Sequence, residues 1–177
     1  SWTGATSSTW KRSDASAHFS GVNTETSQDS KEAKSPAAWY SEGLALGRNG
    51  EKKWPEAIKA FQNCVALDAN HSKAWFWLGQ SYYLQNGSKN CEASYEPYTR
   101  CIALDPKNAL AHGNLGSVLQ YARKDYDGAE RHYRKAIELD PRAYACWNLS
   151  LILEEQKNDI PGAVKLVEEC VRLGRAN

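Results

Sequence analysis

Methionine is absent from all 177 residues, position 1 included. Ser1 is therefore not read as a translation start. The expectation is a processed chain, or part of a longer one, from which any targeting segment has already been removed. The chain also lacks any run of about 18 apolar residues, so no stretch reads as a helix crossing a bilayer. Charge of one sign is missing too: 22 Lys and Arg face 21 Asp and Glu. That balance offers no bulk electrostatic attraction to nucleic acid or to an anionic membrane. With a mean hydropathy of −0.67, the composition predicts a soluble protein.

Chemistry-bearing motifs are scarce as well. No Gly-rich phosphate loop, G-x-S-x-G elbow or kinase signature occurs. His18, His71, His112 and His132 form neither H-x-x-x-H nor H-E-x-x-H, and His112 reads as a structural residue. The five cysteines include no C-x-x-C pair and no Cys/His spacing suited to zinc. The sequence therefore predicts no catalytic residues, no metal site and no cofactor. An enzyme is not expected. Three glycosylation sequons occur, at Asn70, Asn86 and Asn148; the last sits on a predicted packed helix and reads as chance.

What is present divides near residue 36. Residues 1–36 are rich in Ser, Thr and small polar side chains and follow neither the helical nor the strand period. Such a segment buries too little apolar surface to offset backbone ordering, about 1–2 kcal/mol per residue. It reads as a low-complexity tail. Its large side chains, Trp2, Trp10 and Phe19, are spaced as anchors for an extended strand over a partner's surface, the rival being occupation of its own domain's groove.

Residues 37–177 repeat themselves. Three segments end alike: CVALDAN at 64–70, CIALDPK at 101–107 and AIELDPR at 136–142. An aromatic precedes each, at Phe61, Tyr98 and Tyr133, and a Leu-Gly or Leu-Ser pair follows, at 78–79, 115–116 and 149–150. A period of this length means stacked supersecondary units. Trp54-Pro55 and Ile160-Pro161 place proline in a first helical turn, where its missing N–H costs nothing. Asp127 with Glu130 reads as the capping pair of the sixth helix. Pro97 falls inside a helix and predicts a late start or a kink near Tyr95–Pro97.

This pattern resembles the tetratricopeptide repeat family. The third unit matches best, through Leu115, Gly116, Ala129, Tyr133, Ala136 and Pro141. The second matches through Trp75, Leu78, Gly79, Tyr82, Tyr98, Cys101 and Pro106, although its inner turn is longer. The first carries Glu42 where the family has Leu, predicting a half-exposed cap. The resemblance implies an all-α helical solenoid of about four helix-turn-helix repeats, with buried Tyr98, Tyr133, Leu115 and Leu149. Cys64, Cys101 and Cys170 share one repeat position. One stacking step exceeds the roughly 7 Å that a disulfide allows between Cα atoms, so five free thiols are expected.

The resemblance also implies that the first helix of each repeat lines an inner groove. Transferred through the Leu-Gly pairs, its positions are Tyr40, Lys73, Phe76, Trp77, Gln80, Tyr83, Asn114, Ser117, Gln120, Tyr121, Trp147, Asn148 and Leu151. Rings suit a peptide's side chains and amides suit its backbone. Phe76, Trp77 and Trp147 also have the simpler role of packing between helices. Lys73 is the lone cation of the set, so a carboxylate clamp is not expected.

The resulting expectation is a protein-interaction module or scaffold that binds a peptide or partner subunit through the groove and the N-terminal arm. The alternatives are a permanent or peripheral subunit of a larger assembly, possibly at an organellar membrane, and a non-catalytic fragment of a larger enzyme. The expected location is cytoplasmic or organellar, and the unpaired cysteines favour a reducing compartment.

Overall fold

A computed structural model describes residues 34–48, 53–141 and 144–176 of the chain. Eight α-helices follow one another with no strand among the described residues: α1 (Pro36–Arg48), α2 (Trp54–Leu67), α3 (Ser72–Asn86), α4 (Tyr95–Leu104), α5 (Ala109–Val118), α6 (Tyr126–Leu139), α7 (Ala145–Glu155) and α8 (Ile160–Ala176). Each consecutive pair packs as a hairpin, and the hairpins stack in order, α2 on α3, α4 on α5 and α6 on α7. The first helices of neighbouring hairpins also touch, α1 with α3 and α5 with α7. Tyr98, Tyr133, Leu115 and Leu149 are all buried, as the repeat pattern predicts. The tail anchors Trp2, Trp10 and Phe19 lie outside the described residues.

The Gly-aromatic pairing explains how each hairpin closes. A methyl group added at Gly79 would sit 2.8 Å from the Tyr98 ring, and one at Gly116 would sit 2.7 Å from Tyr133. Absence of a side chain there lets the ring lie directly on the opposing helix. Burying each ring contributes several kcal/mol at about 25 cal/mol per Å² of apolar surface. Both rings belong to one hydrophobic cluster that runs from Cys91 to Ala163, and a second cluster forms around Phe61 and Leu78.

Helix starts are set by local chemistry. His71 Nδ1 accepts from Ala74 N–H at 3.1 Å to open α3, and Asn108 Oδ1 accepts from Ala111 N–H at 3.0 Å to open α5. Pro55 and Pro161 both fall in first turns. The cap of α6 differs from the expectation. Asp125, not Asp127, accepts the Gly128 N–H at 2.9 Å, and Asp159 does the same for Gly162 at the equivalent point of α8. Asp127 and Glu130 instead take Lys157 Nζ at 2.9 and 2.6 Å, tying the α7–α8 turn back to α6. Carboxylates in a first helical turn serve a cap and a cation equally well, and only tertiary placement chooses between them.

The longer second repeat is absorbed at its inner turn. Gly87, at φ 74°, ends α3, and a 3₁₀ stretch over Ser88–Ser94 carries the extra residues, so that α4 starts late with Pro97 in its first turn. In the next repeat, α5 ends in a π turn over Leu119–Arg123, which packs against that stretch. Arg123 fastens the two, 2.6 Å from Glu92 and with its guanidinium 3.3 Å above the Tyr95 ring. Glu42 is half-buried and pairs with Lys34 at 2.5 Å.

The expectation of five free thiols is overturned. Cys146 on α7 and Cys170 on α8 form a disulfide across one hairpin, with Cα atoms 6.5 Å apart. Cys64, Cys101 and Cys170, in different repeats, do not bond to one another. The bond joins the two helices within one, where equivalent positions hold Trp39 against Cys64 and Trp75 against Cys101. Cys64, Cys91 and Cys101 are free and buried. Burial, followed by the nearby Asp105 charge, pushes the Cys101 thiol up to about 11, leaving it protonated and inert.

Candidate partner-binding face

The first helices α3, α5 and α7 carry most of the positions expected to line a groove, and the structure divides them into two sets. One set is consumed in joining repeats. Asn114 donates to Gln80 Oε1 at 2.9 Å and to Tyr98 Oη at 3.1 Å, while Tyr98 Oη lies 3.2 Å from the same Gln80 oxygen. Tyr144 donates its hydroxyl to Asn114 Oδ1. One repeat further on, Asn148 Nδ2 donates to Ser117 Oγ at 3.4 Å, and Tyr133 Oη stands 3.1 Å from that hydroxyl and 2.8 Å from Gln120 Oε1. The recurring Asn therefore stitches the third repeat to the second and the fourth to the third. Burial holds the Tyr98 and Tyr133 phenols well above their ordinary pKa, so they remain protonated donors.

The other set faces outward. Trp147 is 66% exposed on α7, and Lys73 is exposed on α3. Tyr83, Tyr121 and Leu151 are half-buried. Phe76 and Trp77 are half-buried as well, their ring centroids 5.6 Å apart edge to face, and they pack against the two core clusters. Tyr40 rests on the His71 ring, with centroids 4.7 Å apart.

Three accessible side chains on these helices were not anticipated: Leu84, Leu110 and Tyr144, at 45%, 52% and 42% exposure. The repeat itself held the signal. Leu110 and Tyr144 stand where Lys73 does, and Leu84 stands where Tyr121 does, each counted from its Leu-Gly or Leu-Ser pair. Tyr144 also covers Gly113, its hydroxyl 3.1 Å from where a side chain would begin, so the middle of the face is floored by a ring from the next repeat.

On the flank of the third hairpin, His112 and His132 bring their Nδ1 atoms to 3.0 Å. His112 Nε2 lies 3.2 Å from the Pro106 carbonyl oxygen, which can only accept. A neutral His112 therefore carries its proton on Nε2 and accepts at Nδ1 from His132. Burial, then the His112 ring and Arg131, lower His132 to about 4, and burial also lowers His112. No group of three metal-ligating side chains occurs among the described residues.

The profile of the tetratricopeptide repeat family matches residues 40–89, 96–143 and 114–177. The chain belongs to the tetratricopeptide repeat family. Superkiller protein 3 of Saccharomyces cerevisiae is 33% identical over 134 residues, covering 72% of this chain and 9% of that protein. The peroxisomal targeting signal receptor of Candida albicans is 34% identical over 90 residues, covering 51% of this chain and 14% of the receptor. The chain thus spans a small part of the curated relatives it matches. Among solved structures, MamA shares the fold at a TM-score of 0.68 and 24% identity, with 77% of each chain covered. The tetratricopeptide repeats here place this chain among general protein-interaction modules. Among the described residues, no helix is long and apolar enough to cross a membrane.

Proposed function

We propose that this chain binds an extended peptide or partner segment along its inner helices, and that it works by binding and not by catalysis. The observation that carries this reading is the row of accessible Leu84, Leu110, Tyr144 and Trp147 on successive first helices. The polar side chains beside them are held in place by neighbouring repeats. With Gln80 and Asn114 committed to each other and Asn148 to Ser117, recognition rests on apolar and ring contacts, with Tyr83, Tyr121, Phe76 and Trp77 as walls and Lys73 as a polar edge. Peptide partners with spaced aliphatic or aromatic residues fit such a face. The relative named as a peroxisomal targeting signal receptor supports the reading at the level of the fold. Under this proposal the N-terminal arm, with Trp2, Trp10 and Phe19, adds a second contact to the same assembly.

The test is selection of random peptides displayed against the full chain. Enriched peptides carrying spaced apolar residues are expected. Leu84→Ala and Leu110→Ala, both at exposed positions, should each weaken a selected peptide by about tenfold with no change in melting temperature. Peptides that ignore both substitutions, or no enrichment at all, would sink the proposal.

A further inference from the structure

The two ends of the described stack differ in kind. At each internal junction the incoming first helix buries a small residue, a leucine and a third residue at i, i+4 and i+7: Ala74, Leu78, Ser81; Ala111, Leu115, Val118; Ala145, Leu149, Ile152. On α1 the same positions hold Ala38, Glu42 and Ala45; both alanines are exposed and Glu42 is paired with Lys34. That face carries a charged pair between two small side chains and lacks the leucine of the internal junctions.

The opposite face is apolar and, among the described residues, uncovered. Ile160, Val164, Val167 and Val171 are 55%, 53%, 38% and 47% exposed, and they recur along α8 at the four-three-four spacing of a helix-packing seam. The counterparts of Val167 and Val171 are spent inside the stack. Where Val167 stands, the earlier repeats have Phe61, Tyr98 and Tyr133, all at most 1% exposed. Where Val171 stands, they have Val65, in one core cluster, and Ile102 and Ile137, half-buried and packed against the other. The polar stitch also stops here, because Leu151 replaces Gln80 and Ser117. Beside the seam, a groove of about 260 Å³ is lined by Ser150, Glu154, Ala163, Val164, Val167 and Glu168.

We propose that this face of α7 and α8 docks a basic amphipathic helix of a partner protein. The occupant follows from continuity with the three internal junctions: a helix presenting a small residue, Leu and a branched residue at i, i+4 and i+7 fits a surface of this kind. Charge selects its flanks. Glu154 and Glu168 rim the groove without an ion pair among the described residues, so Lys or Arg beside the seam completes them. A second copy fits less well. Head to tail, it would press Glu42 into the valines; tail to tail, it would set the glutamates of the two rims against each other.

The probe is a stapled, fluorescein-labelled peptide with the sequence of residues 144–157 carrying E154K and E155K, titrated against the full chain by fluorescence anisotropy. Saturable micromolar binding is expected. Val164→Glu and Val171→Glu should each weaken it by about tenfold or more at an unchanged melting temperature. The peptide with its native glutamates should bind more weakly, and Leu84→Ala should change nothing, which separates this site from the inner groove. Absence of saturable binding, or binding indifferent to both valine substitutions, overturns the proposal. So does a dimer in light scattering that Val164→Glu abolishes, because it assigns the face to a second copy.

Discussion

In the third hairpin a glycine faces a tyrosine; in the fourth, a serine and a valine hold the equivalent positions. Gly116 admits the Tyr133 ring, whose hydroxyl reaches Gln120 and Ser117. Ser150 leaves less room, and Val167 asks for less. The flanking contact changes with it. His112 meets His132 in the third hairpin, whereas Cys146, at the position of His112, bonds to Cys170 in the fourth. One sequence frame thus accepts two ways of locking a pair of helices, provided that volumes are exchanged across the contact. The comparison separates what the repeat requires, a filled interface, from what it leaves open, the chemistry that fills it.

Exchanging the locks is the strongest test. Tyr133→Val should cost about 3–4 kcal/mol through lost volume and an orphaned Gln120 acceptor. Gly116→Ser should cost about 2–3 kcal/mol through overpacking. Together they rebuild the fourth hairpin's pair in the third, so the double variant should be more stable than the sum of the two losses implies. Urea unfolding of all four proteins measures the coupling, and strict additivity would refute the exchange of volumes.

Reductant should act on the fourth hairpin alone. Opening the bond between Cys146 and Cys170 should cost about 2–3 kcal/mol, lowering the melting temperature by roughly 5–10 °C. Hydrogen exchange should speed up in α7 and α8 before it does in α5 and α6. Thiol titration of the denatured, unreduced protein should return three, for Cys64, Cys91 and Cys101.

Acid should act on the third. His132 and His112 both have folded pKa values below the unfolded value, so their neutral pair stabilises the fold above about pH 6.5. That stability is lost as pH falls from there toward about 4, the folded value of His132. A loss on the order of 1 kcal/mol is expected, because the His132 ring is only partly shielded from solvent. His132→Gln should flatten this part of the pH profile, and an unchanged slope would mean that the pair carries no pH dependence.

The smallest effect belongs to the fastening between the second and third repeats. Arg123→Lys removes the forked contact with Glu92 and the stacking on Tyr95, both at the surface, and should cost about 0.5 kcal/mol. A change above about 1.5 kcal/mol would show the insertion to be held mainly by this contact.

The solenoid was legible because its signals were local and recurred. Leu-Gly or Leu-Ser pairs, aromatics and LeuAsp endings each appear three times, and Pro97 announced the delayed start of α4. What escaped were choices made in three dimensions. Asp127 and Asp125 lie in one stretch of sequence; because α6 begins at Tyr126, Asp125 caps it, and Asp127, inside the first turn, is left to meet Lys157. The bond from Cys146 to Cys170 runs across a hairpin, whereas the repeat alignment directed attention between hairpins. On the candidate face, the recurring Asn was visible and its partner was not. A side chain that reaches for a peptide and one that reaches for the neighbouring repeat are the same letter.

The 3₁₀ stretch over Ser88–Ser94 has a consequence for how such chains can change. Its extra residues are taken up between α3 and α4, and the lock of Tyr98 on Gly79 repeats in Tyr133 on Gly116 as though nothing had been inserted. Each repeat resets the count. In a closed core, an added residue shifts every later contact; here the disturbance ends at the neighbouring π turn. A stack built this way can lengthen one bend at a time and keep its grammar, which lets its surface be rewritten without refolding the rest.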